Sequence, residues 1–271
     1  MSITRLSAAV LLGAIALGAS ERAPATVQTV VRSSRNDGSD PQVTQYLVAL
    51  PHIAYGGGWR TQLVVGNISS TPADVTLYYY GDNGNPLSVP FAGVSSTSTA
   101  LTIPANGQQV IEPDWQTSAT AEGWVGLVYS NPGVKIQGVF LWNNPAGPAN
   151  VFTEAAVPII NQAGPACLIP VPGSTSYTLP FDEAGGDFSG YGYANTTDSP
   201  VTMSLTFYDP NGNVLGQYSQ QLLAFAHVSF LLKNQVPSLE GQTGTVVLSG
   251  QGVVQMGFRF TPYYTFTTWQ P

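Results

Sequence analysis

Few side chains in this 271-residue chain could do chemistry, and their spacing limits what that chemistry could be. The histidines are His52 and His227, the single cysteine is Cys167, and no Gly-x-Ser-x-Gly turn presents a serine. A serine nucleophile needs a histidine base within reach. His52 stands beside Pro51 at a strand edge, and His227 follows the apolar run from Leu222 to Ala226, so each reads as a packed or surface histidine. One cysteine and two histidines leave too few ligands for a transition-metal site and exclude an intramolecular disulfide framework. Glycosidase chemistry needs two carboxylates facing each other across a cleft. Glu112 and Asp114, in Ile111-Glu-Pro-Asp-Trp115, are the most suggestive pair, although loop acids are the plainer reading. Asp182, Glu183 and Asp187 form a second acidic loop whose oxygens could hold Ca²⁺. A solvated loop is the plainer reading there too. No organic cofactor is implied.

The aromatics are more numerous than the reactive groups: 5 Trp, 13 Tyr and 11 Phe. Tyr78-Tyr79-Tyr80 occupies both faces of any strand, so these rings cannot all enter one core. Trp59, Trp115, Tyr78, Tyr80, Tyr263 and Tyr264 are candidate platforms on which the apolar face of a sugar could stack. The competing reading of each is burial at an inter-domain contact or a core edge.

Elements able to position such residues are legible from periodicity. Val201, Met203, Leu205 and Phe207 alternate with Thr202, Ser204, Thr206 and Tyr208, and Val134, Ile136, Gly138 and Phe140 alternate with Lys135, Gln137 and Val139. Period-2 patterning marks half-buried strands. Asp82-Asn-Gly-Asn85 and Asp209-Pro-Asn-Gly-Asn213 are hairpin turns, since Asn and Gly tolerate positive φ. No amphipathic stretch of helical spacing appears outside the N-terminus.

The pattern is written twice. Asn67-Ile-Ser-Ser-Thr-Pro72 is matched by Asn195-Thr-Thr-Asp-Ser-Pro200, and the Gly84-Asn85 turn by Gly212-Asn213, both displaced by 128 residues. Ser130–Gly138 is matched by Ser249–Gly257, displaced by 119. A duplicated unit is expected, with one β-sandwich at 45–160, a linker at 161–165 and a second sandwich at 166–271. Asn67 and Asn195 also open glycosylation sequons, but their equivalent place in a turn explains the asparagine as well.

Arg5, the apolar stretch Leu6–Gly18 and the small residues Ala19 and Ser20 make residues 1–20 read as a secretory signal peptide. Residues 21–44 read as a polar tether. After signal removal no segment is long and apolar enough to span a bilayer as a helix.

Only 8 Lys plus Arg and 15 Asp plus Glu are present, a charged fraction of 8 % where about 25 % is usual. A net charge of −7 provides no basic surface for nucleic acid. Such sparse charge also excludes charge-driven disorder and a coiled coil. Thr, Ser, Asn and Gln fill the outward strand positions instead, as at Thr202, Ser204 and Thr206, and the chain holds 48 Ser plus Thr.

The run Pro51-His-Ile-Ala-Tyr-Gly-Gly-Gly-Trp59-Arg-Thr-Gln-Leu-Val-Val-Gly-Asn67, the Gly84-Asn85 turn and the closing Gly244–Ser249, Gly257–Phe260 and Phe266–Thr268 stretches resemble a β-sandwich repeat module of bacterial secreted and surface proteins. The resemblance covers 45–271 and implies two tandem antiparallel, immunoglobulin-like sandwiches. It carries over no catalytic residue, and the Gly56-Gly-Gly-Trp59 signature weakens to Gly185-Gly-Asp-Phe188 in the second unit.

The expectation is an exported, non-catalytic structural or adhesive protein, secreted or held at the cell surface. Its partners would be a glycan, a cell wall, an extracellular protein surface or its own copies. A carbohydrate-binding module is the alternative, and a hydrolase using Glu112 and Asp114 a more distant one.

Overall fold

Alternation along the chain becomes sheet wherever the structure, a computed structural model, describes it: residues 46–131, 133–143, 153–157, 160–161, 176–263 and 265–269. The signal peptide, the tether, the linker residues 162–165, Cys167 and Tyr264 lie outside the described residues. The strands of the first half are β1 (Tyr46–Tyr55), β2 (Trp59–Asn67), β3 (Ala73–Gly81), β4 (Val89–Phe91), β5 (Val94–Ser96) and β6 (Ser98–Ile103). They continue as β7 (Gln108–Ile111), β8 (Ala121–Tyr129), β9 (Val134–Trp142), β10 (Thr153–Val157) and β11 (Ile160–Asn161). The second half holds β12 (Ser176–Asp182), β13 (Phe188–Asn195), β14 (Val201–Tyr208), β15 (Val214–Leu222) and β16 (His227–Leu231). It ends with β17 (Thr243–Ser249), β18 (Val253–Phe260) and β19 (Phe266–Trp269), after an α-helical turn at Leu232–Gln235 and a 3-10 turn at Pro237–Leu239. Among the described residues no helix is long and apolar enough to cross a membrane.

All named strand pairs are antiparallel. In the first half the sheets run β11-β1-β8-β3-β6 and β10-β9-β2-β7; in the second they run β12-β17-β14-β15 and β16-β13-β18-β19. With β11 and the two-stranded β4-β5 sheet of the first half set aside, the orders correspond strand for strand, β13 standing where β2 stands and β18 where β9 stands. The expected alternation is met at β14: Met203, Leu205 and Phe207 are buried and join Leu179, Phe181, Tyr191, Tyr193 and Val246 in one core drawn from both sheets.

Asn67 and Asn195 explain why the same turn recurs. Asn67 Nδ2 donates to the Thr71, Ile103 and Pro104 carbonyls, while its Oδ1 accepts from the Ser69 amide and hydroxyl. Asn195 repeats this with Ser199, Leu223 and Thr197. Each side chain thus satisfies backbone groups of two separate loops, which would otherwise be costly to bury. At 1 % and 0 % exposure, neither amide can accept a glycan in the folded chain.

The half-buried pattern fails where the two halves meet, and β1 is buried at every residue from Ala49 to Tyr55. β13 and β18 are buried at almost every residue, because both faces of β16-β13-β18-β19 are covered. Tyr191, Tyr193 and Val253 enter the core of the second half. On the other face Ala194 and Val254 pack with Ala49 and Trp124 of the first half, flanked by Tyr80 and Phe225. The turn after β3 completes this junction. A Cβ on Gly84 would lie 1.9 Å from the Ala224 carbonyl oxygen.

Two predictions follow from this packing. Gly84 and Gly212 occupy equivalent turns at φ +78 and +83, but nothing lies within 4 Å of a Cβ on Gly212. Both alanine variants pay about 1 kcal/mol for the left-handed backbone, and Gly84→Ala costs about 1–3 kcal/mol more through overpacking. Urea melts giving equal losses would refute the docking of that turn. Within the second core, Gln255 and the Tyr193 hydroxyl are cross-strand neighbours whose buried polar atoms find no partner among the described residues. Gln255→Met is expected to stabilise the chain by about 1–2 kcal/mol, read as a raised urea midpoint; a lowered one contradicts it.

Candidate functional site

The chain's two histidines meet at the junction. Pairing of β1 with β8 shifts register between Leu50 and Ile53, and His52 sits within that irregularity. Its ring lies over β13 at Gly192, where a Cβ would come within 2.9 Å of the His52 Cβ. The small outward-facing series Gly190, Gly192, Ala194 on β13 is what lets β1 approach so closely. His52 Nδ1 is 2.9 Å from His227 Nε2, and the rings stack at 4.9 Å between centroids. Phe140 from β9 and Phe258 from β18 enclose the His52 ring.

His227 Nδ1 lies 2.7 Å from an Asp82 carboxylate oxygen, so this nitrogen donates to the carboxylate. With both rings neutral, His227 Nε2 then accepts from His52 Nδ1. Beside the chain, the Ser229 hydroxyl donates to Glu122 in a close contact. Burial, reinforced by the His227 charge, holds His52 well below the ordinary histidine value of 6.5. Burial raises Glu122 above the ordinary 4.5, against the Ser229 hydrogen bond and the His227 charge and with help from Asp82. Two hydrogen bonds thus join His52, His227 and Asp82 in one chain, beside the separate Ser229–Glu122 pair. Its nearby hydroxyl, Ser229, is turned to a carboxylate and not to either histidine nitrogen.

Sequence reasoning placed the histidines in different units and did not bring them together. The available signal was the small-residue alternation Gly190-Tyr-Gly192-Tyr-Ala194, which marks a strand approached closely from one side.

The six aromatic platform candidates divide. Trp59 stacks on Trp142 at 5.4 Å and meets Phe140, Phe260 and Phe266 edge-on, so it belongs to the junction's aromatic wall. Tyr80 stacks on Trp124 at 4.7 Å and on Phe225 at 5.2 Å, and the Trp124 indole donates to the Phe225 carbonyl at 2.7 Å. Tyr78 is half-buried on the same face as Tyr80. Trp115 is half-buried with the Arg60 guanidinium 5.5 Å from its ring centre. Tyr263 is 84 % exposed. Of the five described, Trp59 and Tyr80 are spent inside the junction.

The acids are likewise engaged. Arg60 grips Glu112 through two nitrogens, and Gln62 donates to the same carboxylate at 2.9 Å. Partial burial pushes Glu112 up, but these hydrogen bonds and the guanidinium charge outweigh it and leave the carboxyl below its ordinary value. Asp114 instead accepts from the Ala92 and Gly93 amides at 3.1 and 2.8 Å, closing the β4–β5 turn, where Ala92 has φ 48. In the other loop, Arg259 pairs with Asp182 at 3.0 Å and with Asp187. Glu183 turns away to accept from the Ser189 amide at 2.7 Å, and burial pushes its carboxyl up to about 7. Among the described residues no group of three or more His, Cys, Asp or Glu is arranged to hold a metal ion.

No family model matches the chain, and no curated protein matches it. Two solved structures show slight likeness. One is an inferred secreted protein from Parabacteroides distasonis ATCC 8503, 14 % identical over 76 % of this chain and 68 % of that one, with a TM-score of 0.21. The other is infectious bursal disease virus, Gx strain, 9 % identical over 80 % of this chain and 66 % of that one, with a TM-score of 0.17. Likenesses this slight carry no argument about fold or function.

Proposed function

We propose that the chain is an exported, non-catalytic β-sandwich protein, structural or adhesive, acting at or outside the cell surface. One observation carries the reading. Every side chain singled out for catalysis has internal work: Glu112 holds Arg60 and Gln62, Asp114 closes a turn, and both histidines join the two halves. The signal-like first twenty residues support export. The strand positions left to solvent, such as Thr202, Ser204 and Thr206, carry uncharged hydroxyls suited to neutral surfaces. The matching sheet orders and the twice-written sequence support a duplicated module whose halves act as one body.

Carbohydrate binding stays as a second reading because Tyr263 is exposed to solvent. Expression of the full chain in a bacterial host, with fractionation, is expected to place it outside the cytoplasm in a form shortened at its N-terminus. Recovery of full-length protein only in the cytoplasm would overturn the proposal. Retention of the purified chain on insoluble polysaccharide, lost on Trp115→Ala or Tyr263→Ala, would select the second reading. Glycoside turnover abolished in a Glu112→Gln, Asp114→Asn double variant would overturn the non-catalytic assignment.

A further inference from the structure

The His52–His227 hydrogen bond has a fixed proton capacity. Two facing ring nitrogens 2.9 Å apart hold one proton between them. With His227 Nδ1–H committed to Asp82, the neutral pair already fills that position. The closed pair has room for one added proton, faced by the Asp82 carboxylate. The pair cannot take a second while it stays closed, since two N–H groups would then point at each other and two positive charges would sit in a buried contact. Separation lets each ring take its own proton in water.

These groups are at the contact that joins the halves. His52 is on β1, while His227 is on β16 of the doubly covered sheet, and both side chains are buried. The titratable groups placed against the pair are Asp82, from the turn after β3, and Glu122, from β8, whose partner Ser229 is on β16. Every one of these polar links runs between the first half and the second. The remaining walls of the site, Phe140, Phe258 and Gly192, carry no charge that could answer a second proton.

We propose that the junction is a proton-operated latch, closed while the His52–His227 pair holds at most one added proton and parted when both rings are protonated. The sign follows from linkage. The closed junction binds protons at His52 less readily than the open one, so closure is favoured above the ordinary histidine value of 6.5 and weakens as pH falls below it. Glu122 acts in the opposite direction, because its burial makes the closed form hold a carboxyl proton more readily. Asp82 is 66 % exposed and is the member that water can reach.

The test uses the full chain in small-angle X-ray scattering from about pH 7.5 down to about 5, with far-ultraviolet circular dichroism and tryptophan emission recorded in parallel. A reversible rise in radius of gyration and a change in emission as the Trp124 indole loses its hydrogen bond to the Phe225 carbonyl are expected, with the strand signal retained. His52→Gln and His227→Gln can still hydrogen-bond but cannot charge, so the transition should disappear from this interval in both. An unchanged wild-type radius would mean that Glu122 outweighs the pair and would overturn the proposal. The same transition midpoint in both variants would also overturn it. If a variant loses its strand signal at the starting pH, histidine NMR of the wild type decides. Ring signals of His52 moving together with the radius support the latch, and ring signals moving at constant radius refute it.

Discussion

The rest of the structure depends on a sheet with no solvent side. An antiparallel sheet normally keeps one face for water, and its sequence alternates accordingly. The β16-β13-β18-β19 sheet packs one face on its own core and the other on the first half. Its residues must therefore satisfy two sets of neighbours at once. Large rings such as Tyr191 and Tyr193 point to the core, while Gly190, Gly192 and Ala194 leave room for the strand that arrives from outside. Polar groups caught on the second face, His227 and Ser229, can be satisfied only by groups reaching across the junction, and His52, Asp82 and Glu122 supply them.

The two halves share a skeleton but present different surfaces. The loop before β7 and the loop before β16 have the same hydrogen bonds, Asn67 N to Gly107 O and Asn195 N to Ala226 O, and the same left-handed residue, Asn106 at φ 54 and Phe225 at φ 56. An asparagine adopts that backbone easily and an aromatic does not. Phe225 is held there by its stack on Tyr80 and by the Trp124 indole bound to its carbonyl. Strain in the second half is thus offset by contact with the first.

Much of the fold was legible because strands of this kind are specified locally. Alternation at 201–208 and 134–140, the Asn-Gly turns and the repeated asparagine each depend on residues a few positions apart, and all appear as read. The junction was not legible, since its central contact joins residues 175 apart and nothing in a local window distinguishes a packed histidine from a paired one. The aromatic set shows the same limit. Composition revealed more rings than one core could take, but only tertiary contact sends Trp59 and Tyr80 into the junction and leaves Tyr263 in water. The acids show the same limit. Proximity in sequence put Glu112 beside Asp114, whereas the strand-end geometry turns one to Arg60 and the other to a tight turn.

Equivalent surfaces of the two halves do not match. Tyr80 faces Trp124 across β3 and β8, and the corresponding pair on β14 and β17 is Tyr208 and Thr245. The partner loop that carries Phe225 and His227 in the second half carries Asn106 and Gln108 in the first. Neither the ring that would receive another unit nor the loop that would offer itself is repeated. The contact between the two halves therefore uses surfaces that the shared strand order does not duplicate.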